Sequence, residues 1–267
     1  ADILAMIVNG SLEMTQLSTS DCESGTFPIC ALPEIPFFSS SPTATTEMMY
    51  ALLEQGYLDE EFKDIHVLFM WATDGQRMAF VDKSPSTADD FAGLKFRCQS
   101  AGGTTMLEQL KASGTKISSS ETYMSLERKV VDGSISSPTA MVKLSYNEVC
   151  KYLMSDVLYS GLSLFMCSNQ FWESIPAEYQ QIINDVCQDY RYQYINNNYN
   201  KEAEAIEFLT SNGMELFDAT DDVMDALKDA CTTLLNDYKK DLTDRGYDAD
   251  EILEVAQTAV DRVAYSF

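Results

Sequence analysis

The sequence predicts an α/β protein of two lobes bridged by one long helix. Three observations carry that reading. Short apolar, strand-like runs alternate with helical runs along the chain. A stretch from about 177 to 211 reads as a single helix; at 1.5 Å per residue it would extend about 50 Å, more than one lobe of this size needs. A chain of 267 residues with 45% hydrophobic content can bury a sizeable core.

Taken in order, residues 3 to 8 read as a buried strand ended by Asn9-Gly10, and a Ser-, Thr- and Pro-rich loop follows to Pro42. Residues 45 to 55 read as a helix with Thr45 or Thr46 as its cap and Gly56 as its terminator. A strand is expected over 66 to 71 and a hairpin-like segment over 77 to 83. After an acidic turn at Asp89 and Asp90, apolar and charged residues alternate through Gly93-Leu94-Lys95-Phe96-Arg97-Cys98, the pattern of a short strand over 94 to 98. Helices are predicted over 103 to 112, closed by Ser113-Gly114, and over 120 to 130. Beyond Asp132-Gly133, residues 139 to 145 are helical or irregular, while 149 to 152 and 159 to 169 read as strands and Gln170 starts a helical region. Pro176 in the first turn, with Glu178 beside it, opens the long helix, and Asn212-Gly213 closes it. A strand over 214 to 217 and amphipathic helices over 220 to 245 and 248 to 265 are expected to pack back on the second lobe. The lobes are expected as 1–74 with 162–200, and 75–161 with 201–267. The chain shows no internal repeat and no low-complexity linker.

Composition excludes several classes of function. A formal charge of −24, from 42 acids against 18 bases, is the opposite of the basic footprint that nucleic-acid binding needs. No uninterrupted apolar run reaches the roughly 18 to 20 residues that span a bilayer, so direct membrane insertion is not expected. Seven cysteines without a Cys-x-x-Cys pair, and His66 as the single histidine, speak against a zinc site; no other metal or cofactor is expected. Nucleophilic hydrolysis lacks a Gly-x-Ser-x-Gly or Cys-His constellation. Cys22 and Cys30 bracket a short loop and are the disulfide candidates in an oxidising compartment, whereas Cys98, Cys150 and Cys167 read as small buried apolar residues.

Arg97 stands at the end of its predicted strand. Ligands collect at strand ends in α/β sheets, and a guanidinium there can hold a carboxylate through two parallel hydrogen bonds. The competing reading is a surface arginine paired with one of the many acids. In so acidic a chain an arginine-lined pocket is a positive island that acts at short range, since charges more than about 8 to 10 Å apart are screened.

Four phrases stand in a distinctive order: GLKFRCQSAGG, ETYMSLERKVVDGSISSP, KLSYNEVCKYL and NQFWESIPAEYQQII. Collectively they resemble the solute receptors of tripartite ATP-independent periplasmic (TRAP) transporters, the DctP type, over roughly residues 1 to 240. The resemblance implies a two-lobed fold like the type II periplasmic binding proteins, with the long helix lying across both lobes. It implies a receptor and not an enzyme, located in the periplasm or otherwise outside the cytoplasm. Its implied partners are a small organic acid and the membrane permease subunits of a TRAP system.

The family's arginine in the first phrase clamps the substrate carboxylate, which assigns that role to Arg97. Arg77, 20 residues earlier, matches a second ligand-contacting arginine of several members. Trp71 and Gln76 would flank the pocket as a flat apolar wall and an amide; a core tryptophan and a solvated turn glutamine are the alternatives. Ser136 and Ser137 follow the VDG turn where many members carry Asn or Pro, so the ligand of any one member does not transfer. Tyr123, Tyr159 and Asn9 complete the expected set, with an ordinary buried tyrosine the competing reading for the first two. Family chains carry a strand, helix and strand, and a signal peptide, before the position matching Ala1, so the resemblance implies either a longer parent chain or an incomplete first lobe. The remaining alternative is an α/β enzyme or ligand-sensing domain acting on a small organic acid.

Overall fold

The computed structural model describes residues 3–23, 25–39 and 41–264. Eight strands form its sheet: β1 Met14–Ser18, β2 Ile65–Phe80, β3 Lys95–Arg97, β4 Ser113–Thr115, β5 Gly133–Ser136, β6 Tyr152–Met154, β7 Tyr159–Ser168 and β8 Glu215–Phe217. The strand order is β1-β7-β2-β5-β3-β4, with β6 on β2 and β8 on β6. The helices are α1 Ile3–Val8, α2 Pro42–Glu54, α3 Asp59–Phe62, α4 Ala101–Gln109, α5 Ser119–Glu127, α6 Pro138–Lys143, α7 Tyr146–Val149, α8 Asn169–Ser174, α9 Ala177–Ser211, α10 Asp221–Asp244 and α11 Ala249–Ala264. The mixed α/β class is the one expected from sequence.

The member that joins the two halves of the sheet is β2. Its first part, Ile65 to Gln76, runs antiparallel to β7, and its last part, Arg77 to Phe80, runs antiparallel to β5. The expected strand over 66–71 and hairpin-like segment over 77–83 are therefore one strand with two bulges. The polar run Thr73-Asp74-Gly75-Gln76 looks like a turn in sequence, yet its groups are satisfied inside the sheet. Gly161 N donates to Thr73 Oγ1 at 3.0 Å, and Gly75 N donates to Glu202 Oε2 at 3.3 Å. A Cβ at Gly75 would meet the methyl groups of Val157 at 2.8 and 2.9 Å, so any side chain there would force Val157 to shift.

Helix α9 has the predicted length, 35 residues. At one end Tyr190 and Tyr194 pack on Phe69 and Trp71 of β2, and Arg191 pairs with Glu47 at 2.6 Å over the ring of Tyr50. At the other end Leu209 is buried with Val81, Leu126 and Tyr146. The closing residue is Gly213, at φ 109°; Asn212 keeps φ −110°, so only the glycine uses the left-handed region.

Other local readings are corrected. Residues 3–8 form a helix and not a strand: Ile7 alone is buried, while Ile3 is 40% and Val8 49% exposed. A six-residue apolar run without alternation does not distinguish the two states. Helix α2 is capped by Ser41, whose Oγ accepts from Ala44 N at 3.4 Å, and starts on Pro42. Thr45 and Thr46 are interior; Thr46 Oγ1 accepts from Ala72 N of β2 at 3.0 Å. Residues 113–115 are strand β4 rather than the terminator of a helix, and 146–149 are helical, so that β6 begins at Tyr152.

Helix α10 carries Val223, Leu227 and Cys231 into the cluster of Phe80, Phe96 and Met106, whereas Leu242 reaches the cluster of Met48, Leu52 and Met70. Helix α11 lies against α2 and adds Ile252 and Ala256 to that latter cluster, rather than packing back on the residues expected as the second lobe. The last residue of the helix expected over 248–265 lies outside the described residues. No disulfide joins Cys22 to Cys30, and Cys30 is wholly buried with its N–H donating to Glu61. Among the described residues no helix is long and apolar enough to cross a membrane.

Candidate ligand-binding site

Arg97 ends β3, parallel to β4 and β5 and opposite Thr115 and Ser134. It is 7% exposed. Its Nε donates to Ile117 O at 3.3 Å and its Nη1 to Ile135 O at 3.4 Å, two long bonds to backbone carbonyls. Arg77 and Arg191 both have carboxylate partners, but among the described residues no acid forms an ion pair with Arg97. A guanidinium with five donors is thus held in place without being neutralised.

Arg77 lies on β2 directly opposite Ser136 of β5. Its Nη2 reaches Glu202 Oε1 of α9 at 2.7 Å, its Nη1 donates to Ser155 O, and its buried Nε has no partner among the described residues. Gln76 pairs with Tyr159 at the start of β7 and donates from Nε2 to Asp74 O at 3.1 Å. Ser136 is buried, and Ser137 caps α6 by accepting from Ala140 N at 3.4 Å. Thr139, two residues on, donates to the Asp74 carboxyl, whose pKa is raised mainly by burial and further by the nearby Glu202. Burial likewise pushes the Tyr159 phenol well above its ordinary value, with Cys98 and Glu34 adding to it.

The pairing of strands therefore gathers Arg97, Arg77, Gln76, Ser136, Ser137 and Tyr159 where β2, β3, β5 and β7 meet. Three expected residues stand elsewhere. Trp71 stacks on Phe69 at 5.0 Å and lines an apolar cavity of about 390 Å³ with Phe165, Tyr190 and Tyr194. Tyr123 donates to Glu148 Oε2 at 2.9 Å on the α5–α7 surface. Asn9 is exposed and accepts from Ser11 N at 2.9 Å, beside Gly10, which sits on Gln170. Gln170 follows the far end of β7, roughly 30 Å from Tyr159 at the rise of a strand.

Sequence reasoning missed four residues at this junction. Glu202 is one acid among many on a polar helix and carries no local signal. Glu34 does carry one, as an acid inside the apolar, proline-bounded run ALPEIPFF. Gln99 donates from Nε2 to the same Ile117 carbonyl as Arg97, at 3.3 Å, and Ser100 caps α4 by accepting from Gly103 N at 3.1 Å. Both sit in the phrase that contains Arg97. The single histidine, His66, is not part of the junction; it stacks on Trp172 at 4.0 Å, and burial lowers its pKa.

The fold is that of the periplasmic solute-binding proteins. A marine metagenome TRAP solute binding protein specific for aromatic acid ligands, solved with metahydroxyphenylacetate, superposes with a TM-score of 0.89 at 20% identity, over 98% of this chain and 83% of that one. An extracytoplasmic solute receptor of Bordetella pertussis binding pyroglutamic acid superposes at 0.85 and 20% identity, over 96% and 83%. Residues 1–241 match the family described as bacterial extracellular solute-binding protein, family 7, and the chain belongs to that family, DctP. The C4-dicarboxylate-binding periplasmic protein of Rhodobacter capsulatus is 32% identical over 122 residues, 44% of this chain and 35% of its own length. Its namesake from Vibrio cholerae is 27% identical over 199 residues, 69% and 57%. The chain thus spans about a third to somewhat over half of the curated relatives it matches.

Proposed function

We propose that this chain is an extracytoplasmic solute receptor of a TRAP-type secondary transporter. It binds a small organic acid through an Arg97–carboxylate clamp, closes its lobes on it and delivers it unchanged to a membrane permease. The observation that carries this reading is Arg97 itself: buried, held by two carbonyls and, among the described residues, without an acid in ion-pair contact, in a chain of net charge −24. A desolvated guanidinium favours a carboxylate that can accept two parallel bonds. Arg77 takes a supporting part, since Glu202 already occupies its fork. The relatives' ligands, C4-dicarboxylates, aromatic acids and pyroglutamic acid, are carboxylic acids of different shapes, which supports the class and leaves the member open. Residues 1–74 with 162–200 form one lobe in this reading and 75–161 with 201–267 the other, α11 reaching back onto α2 of the first. Periplasmic location follows from the same reading.

A thermal-shift screen against mono- and dicarboxylates, sugar acids and aromatic acids tests it. Binding to the native state alone stabilises by about 2.7 kcal/mol at a hundredfold excess over Kd. Stabilisation by neutral sugars or cations, with none by any carboxylate, would sink the assignment.

A further inference from the structure

Glu34 is the acid that the reading above leaves unused. It ends the 3₁₀ segment Ile29–Glu34 and is 9% exposed, between buried Pro33 and Ile35. Its position against α4 is set by close approach: a Cβ on Gly102 would meet Glu34 O at 2.7 Å. Burial, the dominant influence, raises the pKa of the carboxyl, against the Ser100 hydroxyl and the charge of Lys116, which act to lower it.

Glu34 lines a cavity of about 80 Å³ together with Thr19, Ser20, Gln99 and Lys116. This cavity adjoins the Arg97 site. Arg97 Nε and Gln99 Nε2 both donate to Ile117 O at 3.3 Å, so the two nitrogens lie within about 7 Å of each other. A carboxyl can accept several hydrogen bonds, and the Ser100 hydroxyl and Lys116 are groups that act on this one. The burial of such a group is offset only when its remaining acceptor capacity is used. The cavity has room for water-sized groups, and so for a polar substituent of a ligand.

We propose that Glu34 is a specificity residue that receives a hydrogen-bond-donating substituent, hydroxyl or ammonium, on the organic acid whose carboxylate Arg97 holds. This rests on the receptor reading above. It narrows the ligand to hydroxy or amino acids.

Isothermal titration of the wild-type protein with matched series tests it: succinate, malate and aspartate, and benzoate, 3-hydroxybenzoate and 3-(aminomethyl)benzoate. At least one series should show the donor-bearing member binding about tenfold or more tighter than its parent acid, as expected when a buried polar group would otherwise go unpaired. Glu34→Ala should erase that difference without weakening the parent acid. Glu34→Gln, which keeps an acceptor but loses the charge, should retain a preference for hydroxyl and lose one for ammonium. Equal affinities within each series in the wild type, with Arg97→Ala abolishing all binding, overturn the role of Glu34 and leave the receptor reading intact. Failure of every carboxylate to bind overturns both.

Discussion

Arg77 and Glu202 form an ion pair of 2.7 Å whose side chains are only 10% and 14% exposed, tying strand β2 to helix α9 across 125 residues of sequence. Both halves of the sheet meet at this point, so the pair holds the long helix to the strand that crosses between them. Removing one partner leaves a buried charge unpaired, at a cost of about 3 to 5 kcal/mol. Glu202→Ala should therefore lower the urea midpoint strongly, and the apolar double variant Arg77→Met/Glu202→Leu should recover most of the loss. Equal stability of Glu202→Ala and wild type would show that the pair contributes nothing.

Arg97→Lys is expected to lose acid binding nearly as badly as Arg97→Ala. An ammonium cannot present the planar fork, and breaking a desolvated charged pair costs about 2 to 5 kcal/mol of affinity. Calorimetric titration checks this, and unchanged affinity in a folded Arg97→Lys protein would count against bidentate recognition.

Ser136 and Ser137 lie across the strand pairing from Arg77 and would meet the ligand as the lobes close. A ligand shifts such an equilibrium only through its differential affinity for the two states. Ser136→Ala/Ser137→Ala should chiefly accelerate release, read by stopped-flow fluorescence of Trp71 and Trp172. Because Ser137 also caps α6, about 1 kcal/mol of stability should go with it. An unaltered off-rate would leave the arginines as a static anion site.

Glu34, Glu61 and Asp74 all have pKa values raised, first of all by burial. The sign follows from proton uptake: a group with a raised folded-state pKa stabilises the fold fully below its unfolded value, and that contribution is lost as pH rises through the folded value. Asp90 acts in the opposite direction, its pKa lowered by the N–H groups of Ser86 and Thr87 and by Lys83. Unfolding free energy measured from acid pH upward should thus fall less steeply in Asp74→Asn and Glu34→Gln than in wild type. Parallel pH profiles would mean that these carboxyls titrate alike in the folded and unfolded chains.

Much of the architecture is legible locally. The 35 residues of α9 follow from an unbroken helical run with a proline at its start and Gly213 beyond its end. The alternation around Phe96 places Arg97 at a strand terminus. Periodicity and end residues act over a few positions, which is why they can be read without the fold.

What the tertiary structure decided lies in long-range partnership. A six-residue apolar run became helix α1, because its length allows either state and only Ile7 found the core. Two expected elements became the single strand β2, since the polar groups at Thr73 and Gly75 found Gly161 and Glu202 as partners. Trp71, Tyr123 and Asn9 left the expected site because pleat, helix face and distance along β7 turned them to other neighbours. Glu34 came to within reach of Ser100 through a glycine contact that no spacing encodes. The sequence by itself determined the α/β class, the long helix and the arginine at the strand end. The fold alone decided which arginine is neutralised, because that depends on which of 42 acids packing brings within 4 Å of each guanidinium.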